Sequence, residues 1–202
     1  TWSRLWGNFA GLASSDEHGR KDPNVERYFD VWFMPYTAHY PEESTGVLNT
    51  DRPHQVKFYG AYSLEFGLTV GANFYAMSGT PVSTDFELNN IQGFYPEGRA
   101  DQGRTPFLWR GDLYAEYNIK VTEAHTIQVN MNIHNLTNNR IAQRVWNRYN
   151  RQTIYLSNEE IKSGFDYRQV SEEEDLLLDP RYMKEFYFQS PISLRLGVKF
   201  IF

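Results

Sequence analysis

Apolar and polar residues alternate with a period of two along much of this chain. From Phe107 to Val121 the odd positions are Phe107, Trp109, Gly111, Leu113, Ala115, Tyr117, Ile119 and Val121, while the even ones include Arg110, Asp112, Glu116, Asn118 and Lys120. A helix would scatter these residues around its axis; a strand sorts them onto opposite faces. From Gln55 to Phe66 the apolar set is Val56, Phe58, Gly60, Tyr62, Leu64 and Phe66. From Leu68 to Met77 it is Leu68, Val70, Ala72, Phe74 and Ala76, and from Thr126 to His134 it is Ile127, Val129, Met131 and Ile133. From Ile192 to Phe202 it is Ile192, Leu194, Leu196, Val198, Phe200 and Phe202. A less regular strand is predicted over Ser3 to Ala13. The pattern predicts an all-β, antiparallel chain of about six strands.

The connections are unequal. Strands meet tightly at Phe66-Gly67 and across Val121 to His125, whereas Ser14 to His54, Gly79 to Pro106 and Thr137 to Gln189 are long. Short and long connections alternate, as they do in a transmembrane β-barrel with short turns on one side and long extracellular loops on the other. A strand of about 12 residues spans roughly 40 Å and, tilted by about 45°, rises about 28 Å, enough for an apolar band of about 25 Å. Phe66, Tyr117, Phe200 and Phe202 fall where one aromatic girdle is expected, and Phe107 and Trp109 where the other is. A soluble β-sandwich explains the alternation but neither the loop asymmetry nor the apolar last strand.

Six strands cannot close around Arg110, Asp112, Glu116 and Lys120, because about eight are needed before a barrel interior holds side chains. An open sheet would leave unsatisfied backbone edges in lipid. Residues 1–202 are therefore expected to be the last arc of a larger barrel, with the earlier strands and any plug domain outside this sequence. If Phe202 ends on the periplasmic side, all three long loops are extracellular and both tight turns periplasmic.

Composition narrows the alternatives. The chain has 202 residues and a net charge of −5, so a basic nucleic-acid-binding surface is not expected. It has no cysteine, which excludes disulfides, thiolate metal sites and cysteine nucleophiles. Aromatics make up 16% of the residues although mean hydropathy is −0.61, which argues against disorder. No apolar run reaches the roughly 18 residues of a membrane helix.

The candidate chemistry is sparse. His18, His39, His54, His125 and His134 show no metal-ligand spacing. Ser171 to Asp175, followed by Asp179, is acidic but lacks the spacing and glycine of a calcium loop. No nucleophile elbow is present and no enzymatic activity or cofactor is expected. Arg110, Asp112, Glu116, Lys120, Asn130 and Asn132 are expected to face the lumen, the charges pairing across neighbouring strands. An aromatic cluster in the first long loop makes Tyr28, Trp32, Phe33 and Tyr36 candidates for ligand contact. Ser157-Asn158-Glu159-Glu160 fits a capping box and predicts a short helix in the last loop.

Two sets of motifs carry a resemblance. Arg195, Gly197, Phe200 and Phe202 match, position by position, the C-terminal assembly signal of bacterial outer-membrane proteins. Asp51-Arg52-Pro53-His54, Ser78-Gly79-Thr80-Pro81, Gly103 to Trp109 and Val129 to Asn138 resemble the late barrel of TonB-dependent receptors, most of all the Oar-like subgroup. The resemblance covers most strands and almost none of the loops. It implies a 22-stranded barrel in the outer membrane of a Gram-negative bacterium, with an N-terminal plug, importing a scarce ligand. Its implied partners are outer-membrane lipid, the rest of the barrel and plug, TonB through an N-terminal segment, the barrel assembly machinery and an unidentified ligand. An outer-membrane barrel used for secretion or as a surface scaffold, and a soluble carbohydrate-binding β-domain, are the competing readings.

Overall fold

The computed structural model describes residues 1–7, 45–89, 91–173 and 178–202. In chain order they form β1 (Trp6–Gly7), β2 (Gly46–Val47), β3 (Gln55–Ser63), β4 (Leu68–Met77), β5 (Phe86–Leu88), β6 (Ile91–Phe94), β7 (Leu108–Lys120), β8 (Thr126–His134) and β9 (Ala142–Val145). Helices α1 (Asn158–Ser163) and α2 (Tyr167–Glu173) follow, then β10 (Glu185–Phe188) and β11 (Ser193–Ile201). Among the described residues no helix is long and apolar enough to cross a membrane, which says nothing of crossing by strands.

The five long strands form one antiparallel sheet in the order β11-β8-β7-β4-β3. Its register aligns the alternation strand by strand. One row across the sheet is Tyr62, Val70, Ala115, Met131 and Leu196; the next is Gly60, Ala72, Leu113, Ile133 and Leu194. Leu68, Tyr117, Val129 and Val198 form a third. A slip of one residue in any strand would put charges into these rows, so the pattern itself specifies the register. No other described residues cover this face: Leu196 is 72% exposed, Phe58 67% and Tyr117 43%.

The buried core lies elsewhere, beyond the end of the sheet marked by Gln55, Met77, Leu108 and Ser193. Phe86, Leu88, Ile154 and Tyr167 pack together there, with Tyr149, Leu156, Ile161, Phe165 and Val170 around them. Phe86 meets Tyr167 edge-on at 5.5 Å, and Tyr149 meets Tyr167 at 5.2 Å. Each such burial is worth about 1.5–3 kcal/mol.

The long connections thus differ from bare loops. Gly79 to Pro106 holds the β5–β6 hairpin, and Thr137 to Gln189 holds the β9–β10 pair and both helices. Loop segments can bury Phe86 and Ile154 because their backbone groups pair: Asp85 N–H bonds Asn147 O at 2.9 Å, and Asn89 N–H bonds Ile154 O at 2.7 Å. Helix α1 starts at Ser157 with the expected capping box, Ser157 Oγ accepting from Glu160 N–H.

Of the predicted strand over Ser3 to Ala13, only Ser3 to Gly7 lies within the described residues. Within residues 1–7 only Trp6–Gly7 forms a ladder, with β2, beside an isolated Trp2–His54 bridge. This segment runs past the Gln55 end of the sheet rather than along it; residues 8–13 lie outside the described residues. At the other end the two tight turns form as expected. Gly67, at φ +96°, closes the β3–β4 hairpin in a conformation that favours glycine, and Val121 N–H bonds His125 O across the β7–β8 turn.

Candidate functional site

The polar face of the sheet opposes the apolar rows. Arg110, Asp112, Glu116 and Lys120 share it as alternate residues of β7, and Asn130 and Asn132 join it opposite Glu116 and Tyr114. The charges do not pair across strands as expected. Arg110 donates to Asp112, two residues along the same strand, at 3.0 Å, and its guanidinium lies over Tyr75 at 5.1 Å. Glu116 accepts from Tyr114 OH and, at 3.1 Å, from Asn118. The reason is the register: Asp112 faces neutral Asn73, and Glu116 faces Thr69 and Asn130. Across strands, His134 lies 3.9 Å from Asp112.

Arg195 and Gly197 lie on this polar face, beside Asn132 and Asn130, whereas Phe200 lies on the apolar face beside Ile127. Gly197 has a local packing role. A Cβ there would come within 2.8 Å of the Asn130 side chain. Phe200 and Phe202 stack at 6.0 Å, and Phe66 meets Tyr117 at 6.5 Å, all at the tight-turn end.

At the long-loop end three sequence motifs converge into a clasp. Arg104 donates to both the carboxylate and, at 2.9 Å, the carbonyl of Asp51, and to Gly79 O at 3.0 Å. Asp51, almost wholly buried, also accepts from Leu5 N–H at 2.7 Å. Arg52 donates to Ser78 O at 2.8 Å, and Thr80 N–H donates to Thr105 Oγ1 at 2.9 Å. The clasp joins the tops of β3, β4 and β7. In the same way Asn135 and Asn138, in the motif closing β8, tie that strand to the approach of β11 through Ser190 O and Ile192 N–H.

Against this clasp lies a cleft of about 510 Å³, lined among others by Arg52, Thr80, Gln143, Arg144, Trp146 and Tyr187. A second hollow of about 400 Å³ lies over Lys57, Tyr59, Asn73 and Tyr75 of the polar face, and Gln143 borders both. The cleft therefore opens onto the polar side of the sheet. Trp146 is held in its wall by the Arg181 guanidinium, 3.8 Å from the ring centre, and by a 3.2 Å hydrogen bond from its indole N–H to Asp179. The hydrogen bonds from Arg181 hold the Asp179 carboxyl down at about 2, below the ordinary carboxylate range. Burial pushes the Tyr167 hydroxyl in the nearby core up to about 12.

The loop candidates Tyr28, Trp32, Phe33 and Tyr36 lie outside the described residues. Among the described residues no group of three His, Asp or Glu side chains is placed to hold a metal ion. The sequence reading missed the cleft. Its available signal was the run Arg144-Val145-Trp146-Asn147-Arg148, which places two guanidinium groups and an indole within five residues of a long loop.

An antiparallel sheet with one continuous, exposed apolar face and one polar face, joined by tight turns at one end and structured loops at the other, is a β-barrel wall segment. Comparison with known proteins narrows this class. The chain is 33% identical over 146 residues to the TonB-dependent transporter Oar of Myxococcus xanthus, the match taking in 68% of this chain and 13% of that protein. It supports a fragment of a TonB-dependent receptor. No family model matches the chain, and no solved structure does.

Proposed function

We propose that residues 1–202 form the C-terminal wall and extracellular loops of an Oar-like TonB-dependent receptor in the outer membrane of a Gram-negative bacterium. In this reading the apolar rows face lipid, and Arg110, Asp112, Glu116, Lys120, Asn130 and Asn132 face the lumen or the plug. The tight turns lie in the periplasm and the long loops outside. Arg195, Gly197, Phe200 and Phe202 form the signal read by the barrel assembly machinery. The barrel has 22 strands, its N-terminal segment engages TonB, and the protein imports a scarce ligand without acting as an enzyme.

One observation carries the reading: five strands in register set apolar rows on one face and charges on the other, with no protein layer over the rows among the described residues. Such a face is costly in water and favoured in hydrocarbon. The length of β7 agrees: its 13 residues span about 43 Å and, at a tilt near 45°, rise about 30 Å. The edges, β3 and β11, then need neighbouring strands to satisfy their backbone groups.

The test uses single cysteines, since this chain has none of its own. In the protein carrying this chain, reconstituted into bilayers with brominated acyl chains, a fluorophore at position 113 or 196 is expected to be quenched. One at position 112 or 195 is expected to stay bright. Equal quenching on both faces, or none, overturns the reading.

A further inference from the structure

Among the described residues Arg144 has an aromatic neighbour and no anion. Its guanidinium lies over the Tyr187 ring, 5.4 Å from the centre, and among the described residues no carboxylate pairs with it. Neighbours in the same cleft differ. Arg148 is paired with Glu87 at 2.5 Å, and Arg52 donates to Ser78 O at 2.8 Å. A guanidinium stacked on an aromatic face keeps its in-plane N–H edge free, and that edge matches a carboxylate in two parallel hydrogen bonds.

Tyr187 supplies a second, independent observation. Its φ is +56° inside β10, although the flanking pairs Phe186–Arg144 and Phe188–Ala142 keep a regular register. A bulky residue in the left-handed region costs about 1–3 kcal/mol, and such strain persists where the surroundings hold a side chain in place for use. Tyr187 is also 64% exposed, so the strain does not serve to bury it. Phe186, Tyr187 and Trp146 all border the cleft, giving apolar surface beside the free guanidinium edge.

We infer that the cleft between β9, β10 and the Asp51–Arg104 clasp is a binding site for a carboxylate carried on an aromatic or other apolar body, with Arg144 as its anion-binding residue and Tyr187 as the platform that orients it. The inference rests on the receptor reading and names the chemistry of the ligand's anchoring group. A fixed planar fork favours a planar carboxylate, and the aromatic wall favours an apolar body over a free inorganic ion.

The probes are N-acetyl-phenylalanine, its uncharged amide and inorganic phosphate, titrated calorimetrically into the detergent-solubilised protein that carries this chain. The acid is expected to bind at millimolar concentration or better and more weakly as salt rises. The amide, and the acid with Arg144→Gln, are expected to bind roughly tenfold more weakly, the loss of one charge-assisted contact. Tyr187→Ala is expected to weaken the acid while leaving the circular dichroism spectrum unchanged. Equal binding of acid and amide, no effect of Arg144→Gln, no binding of the acid, or binding of phosphate alone each overturns the inference. A protein that inserts into membranes yet fails these titrations leaves the receptor reading intact; one that does not insert overturns that reading instead.

Discussion

The Asp112 carboxylate accepts a hydrogen bond from the backbone N–H of Asn135 at 2.8 Å, joining the middle of β7's polar face to the residue just past β8. Asn135 is almost wholly buried and left-handed, at φ +52°. Its amide donates to Asn139 O at 2.9 Å and Ser190 O at 2.8 Å and accepts from Asn139 N–H at 3.1 Å. One side chain thereby sets where β8 ends, how the long loop departs and where β11 returns.

Asn135→Ala removes the three side-chain amide bonds, keeps the backbone N–H bond to Asp112, and leaves a left-handed residue without its usual local compensation. The variant is expected to lose about 2–4 kcal/mol of stability, and Asn135→Gly, which keeps the backbone freedom, somewhat less. Urea unfolding followed by circular dichroism in detergent measures both. Equal, small losses would mean that the amide contacts contribute little.

Arg104→Met strands the buried Asp51 carboxylate with only the Leu5 N–H among the side-chain bonds described for it. Breaking a buried pair from one side is expected to cost on the order of 3 kcal/mol. The double variant Asp51→Leu/Arg104→Met is expected to recover part of that loss, because it removes the unpaired charge. A double variant no more stable than Arg104→Met would show that the ion pair is not the source of the cost.

Gly79 and Gly60 make a controlled comparison. A Cβ at Gly79 would fall 1.7 Å from the Thr105 carbonyl oxygen, whereas one at Gly60 would meet nothing within 4 Å. Gly79→Ala is expected to prevent or strongly destabilise folding, since backbone cannot yield as a flexible side chain can. Gly60→Ala is expected to be within about 0.5 kcal/mol of the parent. The yield of folded protein and its unfolding midpoint read the difference.

Acid is expected to loosen the wall of the cleft. Asp179 is held at about 2 in the folded state, below its ordinary value of 3.8. A depressed carboxylate contributes stability above the unfolded value and loses it as pH falls through the folded one. The contribution is therefore complete above about pH 4 and gone below about pH 2. Trp146, bonded to Asp179, reports the change: its emission is expected to shift between these pH values in the parent and not in Asp179→Asn, with Arg181 left in place.

Much of the fold was legible because strand periodicity is local. Leu113 and Asp112 are assigned to opposite faces by adjacency alone, and the turns at Gly67 and His125 follow from short spacing between alternating runs. The Ser157 capping box was legible for the same reason, as its partners are three residues apart. The partner of the first strand was not legible: alternation near Trp6 signals extended backbone but not which partner it finds, and within residues 1–7 that partner is Val47, away from the main sheet.

The motifs resembling a receptor family were visible as residues but not as a device. Asp51 and Arg104 stand far apart in sequence, and only the pairing of β3 with β4 and of β4 with β7 brings their ends together. The cleft was illegible for the same reason. Arg144 and Tyr187 belong to segments joined only when β9 pairs with β10, and the left-handed turn of Tyr187 has no signature in its residue type.

By itself the sequence determined which side chains share a face, since a two-residue period needs only neighbours in the chain. Tertiary structure alone decided that the dry core sits in the loops, that Arg110 pairs along its own strand with Asp112, and that among the described residues no carboxylate pairs with Arg144. Those outcomes depend on register and long-range closure, and free energies of that kind are set by what the distant partner happens to be.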